Sequence, residues 1–117
     1  MDLREFPRRG DIWLVRLDPA VGSEIRKTRP AAVISNDINN RYAGTVTVLP
    51  ISDRGEKTYP FEVAVPTAGT GLSKPSKIRC QQVRTVDATR LVKFVGSLDP
   101  DLVLLAEEAL KIHLGMR

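Results

Sequence analysis

Apolar positions along the chain fall into short blocks of strand length, separated by turn-forming residues. Arg9-Gly10-Asp11 reads as a turn leading into an apolar block at 12–17, which Asp18-Pro19 closes. A second block at 30–35 starts on Pro30, where the missing N–H removes no ladder donor, and is expected beside the first. Residues 36–44 are rich in Asn, Asp and Gly and read as a turn. Residues 45–51 then alternate hydroxyl and aliphatic side chains with period two, the mark of a strand with one wet face or end. Further strands are predicted at 59–65, 77–84 and 92–96, with a Gly/Pro/Ser/Thr connection at 66–75 that reads as flexible. Asp87 is placed to cap a short helical turn ending near Leu91.

The pattern changes period at the end of the chain. Asp99-Pro100 supplies an N-cap and a favoured first helical residue, and Leu102, Leu105, Ala109 and Ile112 recur at helical spacing before Gly115. This predicts a C-terminal amphipathic helix whose apolar face covers the sheet. The chain thus reads as mainly β: a small, partly closed antiparallel barrel with short helices and a terminal helix, closure being one way to hide strand edges. Its 117 residues fit one domain, 1–117, since two would each bury too small a core. Aromatic residues are only 5% of the chain, so Val, Ile, Leu and Ala must build that core.

Charge and the reactive residue types narrow the chemistry. A formal charge of +4 suits a polyanionic partner, although a solvated surface gives the same balance. Cys80 is the only cysteine, so no internal disulfide forms, and its strand context predicts a reduced, half-buried thiol. A thiolate mechanism would need His113, which lies on the terminal helix without any supporting signature. One His and one Cys cannot assemble the usual zinc site, and no spaced carboxylate cluster replaces them, so neither metal nor cofactor is expected. Gly69-Thr70-Gly71-Leu72-Ser73-Lys74 lacks the spacing of a phosphate-binding Walker loop. Residues 1–6 carry charges where a signal peptide needs an apolar core, and no run has the length of a membrane span, which predicts a cytoplasmic protein with no membrane partner.

One segment is denser in chemistry than a turn requires. Ser23, Glu24, Arg26, Lys27, Thr28 and Arg29 put an acid, three cations and two hydroxyls into the end of the long 18–29 loop. Arg29 stands at the mouth of the sheet, where its guanidinium could grip phosphate bidentately or pair with Glu24 on the surface. Ser52 leaves the apolar block Leu49-Pro50-Ile51 as a strand-end hydroxyl or a turn cap. If 77–84 is one strand, Gln82 and Arg84 share a face, as a base-reading amide and a buried ion-pairing arginine, and Gln81 points away with Val83.

The ordered strings Arg9-Gly10-Asp11-Ile12-Trp13, Gly22-Ser23-Glu24, Thr28-Arg29-Pro30-Ala31-Ala32-Val33-Ile34-Ser35-Asn36-Asp37, Asn40-Arg41, Val48-Leu49-Pro50-Ile51-Ser52, Gln82-Val83-Arg84-Thr85-Val86-Asp87 and Arg90-Leu91 closely resemble the MazF/PemK family of toxin ribonucleases. The resemblance covers nearly the whole chain. It implies an SH3-like barrel of the CcdB/PemK type, a homodimer, an RNA groove near the subunit interface and a MazE-like antitoxin that occupies that groove. By the same resemblance Arg29 matches the catalytic arginine, Ser52 a position held by Thr or Ser, and Glu24 a contributing loop acid. Ser23, Arg26, Lys27, Thr28 and Gln82 are then the expected RNA-binding residues. The activity implied is metal-independent cleavage of single-stranded RNA by 2′-hydroxyl attack. Two other functions stay open at this point: a CcdB-like, non-catalytic poison of DNA gyrase, and a plain RNA-binding module that does not cut.

Overall fold

The computed structural model describes residues 5–117, so the first four residues of the charged stretch at 1–6 lie outside the described part. Seven strands form one antiparallel sheet: β1 (Asp11–Arg16), β2 (Thr28–Val33), β3 (Thr45–Asp53), β4 (Glu62–Val65), β5 (Ser76–Arg79), β6 (Arg84–Asp87) and β7 (Leu91–Ser97). Two helices complete it, α1 (Asp37–Tyr42) and α2 (Pro100–Leu114). The strand path runs β4-β5-β3-β2-β1-β7, with β6 also paired to β3. Its two ends do not hydrogen-bond to each other, so the sheet is mainly β as expected but is not closed.

Burial on both faces explains the continuous apolar blocks. Val46 and Val48 of β3 pack with Val15, Val33 and Val86 on one side, whereas Leu49 and Ile51 pack with Ile12, Ile78 and α2 on the other. In β2 the consecutive Ala31, Ala32 and Val33 are all buried, Ala32 in one cluster and its neighbours in the other, as strand alternation requires when both faces are covered.

The gap between the ends of the sheet is covered by backbone. Thr70 is buried and donates through Oγ1 to the carbonyls of Pro66 and Thr67, both at 2.9 Å, so the β4–β5 connection is a pinned turn and not the loose segment its composition suggested. This turn lies on β7 with no room for side chains between them. A Cβ on Gly71 would come within 2.2 Å of the Val95 carbonyl, and one on Gly96 within 2.0 Å of the Thr70 carbonyl.

Three further departures from the sequence pattern have local causes. The strand expected at 77–84 is broken by a 3-10 turn at Cys80–Gln82. Three steps along β3, from Val48 to Ile51, correspond to six on its partners, from Arg84 back to Ile78. The turn absorbs the surplus. Residues 36–44, read as a turn, contain α1: the Asn36 side chain accepts from Asn39 N–H at 2.8 Å and so starts a helix. The terminal helix has the expected caps at Asp99 and Gly115, but its buried residues are Ala106 and Ala109, with Leu102, Val103 and Leu110 beside them. Leu105 and Ile112 of the expected face are more than half exposed, because the helix rotates its small residues toward β4 and the 3-10 turn.

Candidate active site

The antiparallel register of β2 and β3 pairs Ala31 with Pro50, Ala32 with Leu49 and Val33 with Val48. Continued two residues toward the start of β2, it sets Arg29 opposite Ser52. Both residues line one cleft of about 440 Å³, with Thr28 at the start of β2. Leu14 and Phe94 supply apolar wall, and Gly71, Leu72, Ser73 and Lys74 of the pinned turn form the opposite side.

Arg29 is half-buried, and its Nε donates to the Arg26 carbonyl at 3.2 Å. Among the described residues its two terminal nitrogens have no partner and no ion pair joins it to Glu24, so the guanidinium is oriented at the stem and open at the fork. That geometry suits a phosphate with two oxygens to offer. Ser52 makes one long bond, Oγ to the Asp53 carbonyl at 3.4 Å, which an incoming acceptor can replace at little cost.

The other expected residues separate from this pair. Ser23, Glu24 and Gln82 line a second cleft of about 500 Å³. It adjoins the first where consecutive residues Pro50 and Ile51 line one cleft each. Gln82 does not alternate on a strand face with Arg84. It sits in the 3-10 turn, its Oε1 accepting from Ile25 N–H at 3.2 Å and its Nε2 donating to the Ser23 carbonyl at 3.3 Å. Arg84 makes no ion pair among the described residues and instead donates to the Leu17 carbonyl at 2.6 Å. These bonds fasten the 18–29 loop to the sheet. Arg26 is exposed and turned back on the Gly22 carbonyl at 2.8 Å, and exposed Lys27 adopts a left-handed φ of 69° where the loop enters β2. Neither lines either cleft.

Lys93 and the Asp53–Lys74 ion pair, 3.0 Å between charged atoms, also belong to the first cleft and were not singled out from sequence. Nor was Glu62, whose buried carboxylate meets Lys77 at 3.1 Å, Arg79 at 3.0 Å, Gln81 at 2.7 Å and the Tyr59 N–H at 3.0 Å. Burial opposes its charge. The hydrogen bonds from Gln81, Tyr59 and Lys77, with the Lys77 charge, outweigh that and hold its pKa below the ordinary 4.5. Cys80 is fully buried, not half-buried, with Sγ 3.7 Å from the Ala106 carbonyl. Burial, then the Glu62 charge, pushes its pKa up to about 11, while His113 is exposed on α2, so no thiolate pair forms.

This sheet, terminal helix and pair of adjoining clefts define a small β-rich domain with a candidate active site, and comparison with known proteins gives its family. Residues 8–114 match the family described as PemK-like, MazF-like toxin of type II toxin-antitoxin system, and the chain belongs to that family. It is 40% identical over 114 residues to endoribonuclease MazF9 of Mycobacterium tuberculosis, covering 93% of this chain and 97% of that one. Endoribonuclease EndoA of Bacillus subtilis is 36% identical over 110 residues, covering 93% and 95%. The crystal structure of MazF from Deinococcus radiodurans superposes with a TM-score of 0.84 at 26% identity, over 97% of this chain and all of that one.

Proposed function

We propose that this toxin cuts single-stranded RNA at the Arg29–Ser52 cleft. The observation that carries the reading is a half-buried guanidinium with an open fork, sharing that cleft with a weakly bonded hydroxyl. The ribose 2′-oxygen loses its proton and attacks the adjacent phosphorus, the bond from phosphorus to the 5′-oxygen breaks, that oxygen takes a proton from water, and the products are a 2′,3′-cyclic phosphate and a 5′-hydroxyl. RNA supplies its own nucleophile, so the protein need only align it and stabilise the developing charge, without a metal. Arg29 does the latter and Ser52 positions a phosphate oxygen. Glu24, at the adjoining cleft, is the conventional carboxylate to take the 2′-proton. Ser23 and Gln82 border a flanking nucleotide there, Thr28 lies at the rim of the first cleft, and Arg26 and Lys27 meet the backbone outside.

The working unit in this reading is residues 1–117 as one domain, paired as a homodimer in the cytoplasm. Exposed Leu104, Leu105 and Ile112 give α2 apolar area for a second copy to cover. No helix among the described residues is long and apolar enough to cross a membrane. An antitoxin partner is supported by the MazE-MazF structure from Deinococcus radiodurans, 26% identical with a TM-score of 0.72. The gyrase-poison reading is not favoured, since the relatives are named endoribonucleases.

Incubation with a long single-stranded RNA in EDTA, with the product ends mapped, tests the proposal. Cyclic phosphate ends are expected, and DNA substituted at the cut site should abolish cutting. Intact RNA with inhibited gyrase would reverse the assignment, and RNA bound but uncut would leave a binding module.

A further inference from the structure

We propose that Lys93 is a second phosphate-binding residue of the cleft, holding the phosphate next to the one that Arg29 grips. This rests on the RNA reading above and extends it to the neighbouring linkage.

The cleft is lined by Arg29, Lys74, Lys93 and one carboxylate, Asp53. Asp53 pairs with Lys74 at 3.0 Å, so those two charges largely cancel locally. Lys93 is exposed, and among the described residues it has neither an ion pair nor a hydrogen bond through its side chain. The uncancelled positive charge therefore belongs to Arg29 and Lys93.

Their placement follows from the sheet. β1 lies between β2 and β7, with Val15 paired to Arg29 on one side and Leu14 paired to Lys93 on the other. Their backbones flank β1 two strand spacings apart, about 9–10 Å. Leu14 and Val15 alternate across β1, so it is the cleft lined by both Arg29 and Lys93, and not a shared strand face, that brings the two cations together. At that separation the flexible four-carbon stem of Lys93 can carry a point charge to a neighbouring phosphate in the same cleft, leaving the first to the planar fork of Arg29. An RNA strand following that cleft would meet both.

Binding of a 2′-O-methyl oligoribonucleotide, which cannot cyclise, separates this inference from the cleavage reading. Each phosphate contact on a single strand contributes roughly 0.7 to the slope of log affinity against log salt. Lys93→Ala is expected to reduce the slope by about that amount, Lys93→Arg to restore it, and both to keep the parent's thermal midpoint. Affinity at low salt should fall by up to about fivefold in the alanine variant. An unchanged slope in Lys93→Ala would overturn the inference, even if the parent cuts RNA. A reduced slope in a protein that leaves RNA intact would uphold it as a binding residue while removing the nuclease reading.

Discussion

Glu62 and Arg29 are charged groups on the same sheet with opposite surroundings. Glu62 is enclosed by two side-chain donors, Lys77 and Gln81, a backbone N–H and the charge of Arg79, whereas Arg29 has one backbone contact and faces a cleft. A buried charge whose bonds are all made within the protein contributes to the fold and has nothing left for a ligand. One that is oriented yet incompletely bonded is available to a substrate. Both lie among several cations, so local charge does not separate the two roles; the state of their hydrogen bonding does.

Arg29→Ala should sharpen this contrast most, lowering kcat for RNA cleavage by roughly 10²–10³-fold, the usual cost of losing one donor to developing charge, with thermal stability unchanged. Single-turnover cleavage and a melting curve measure the two together. The reverse pattern is expected of Glu62→Ala, which takes the buried carboxylate away from Lys77, Arg79 and Gln81: a loss of about 3 kcal/mol in urea unfolding, with the folded fraction still cutting RNA. The pH dependence follows from the same carboxylate. Its pKa is lower in the folded state than the ordinary 4.5, so its stabilisation is complete above that value and fades as pH falls through the lower, folded one. Urea midpoints taken between neutrality and strong acid should show an acid-side loss that Glu62→Gln reduces.

Gly96→Ala tests the wall of the cleft, since the added Cβ would meet the Thr70 carbonyl. A cost of about 1–3 kcal/mol is expected, with weakened RNA binding as the Gly71–Lys74 segment moves off β7. The smallest effects belong to Ser52. Ser52→Ala should slow turnover about tenfold, and Ser52→Thr should keep or modestly raise it, because the extra methyl narrows the hydroxyl's rotamers. Equal rates for all three residues would remove the hydroxyl from the site.

Much of this architecture was legible in local pattern. The caps of α2, the Asp87-capped turn, with Asp87 accepting from Thr89 N–H at 2.9 Å, and the apolar strands announce themselves through neighbours in sequence. Residues whose roles depend on distant partners did not. Asn36 looks like any turn former until its side chain caps α1, and Leu105 looks like core until Ala106 and Ala109 let α2 approach the sheet on another face. In the site, Arg29 and Ser52 were each ambiguous alone, and the family resemblance brought them together before the β2–β3 register did. Lys93 and Glu62 gave no signal because β7 meets β1, and β4 meets β5, across loops whose closure no local pattern specifies.

The tripeptide at 80–82 winds at roughly three residues per turn, so successive side chains leave it about 120° apart. Cys80 goes to the terminal helix, Gln81 to the Glu62 carboxylate and Gln82 to the loop of the second cleft. Removing or adding a single residue here would swing these three anchors onto each other's targets and flip β6 relative to β3. Natural variants of this toxin should therefore tolerate substitution at this junction far better than any change in its length.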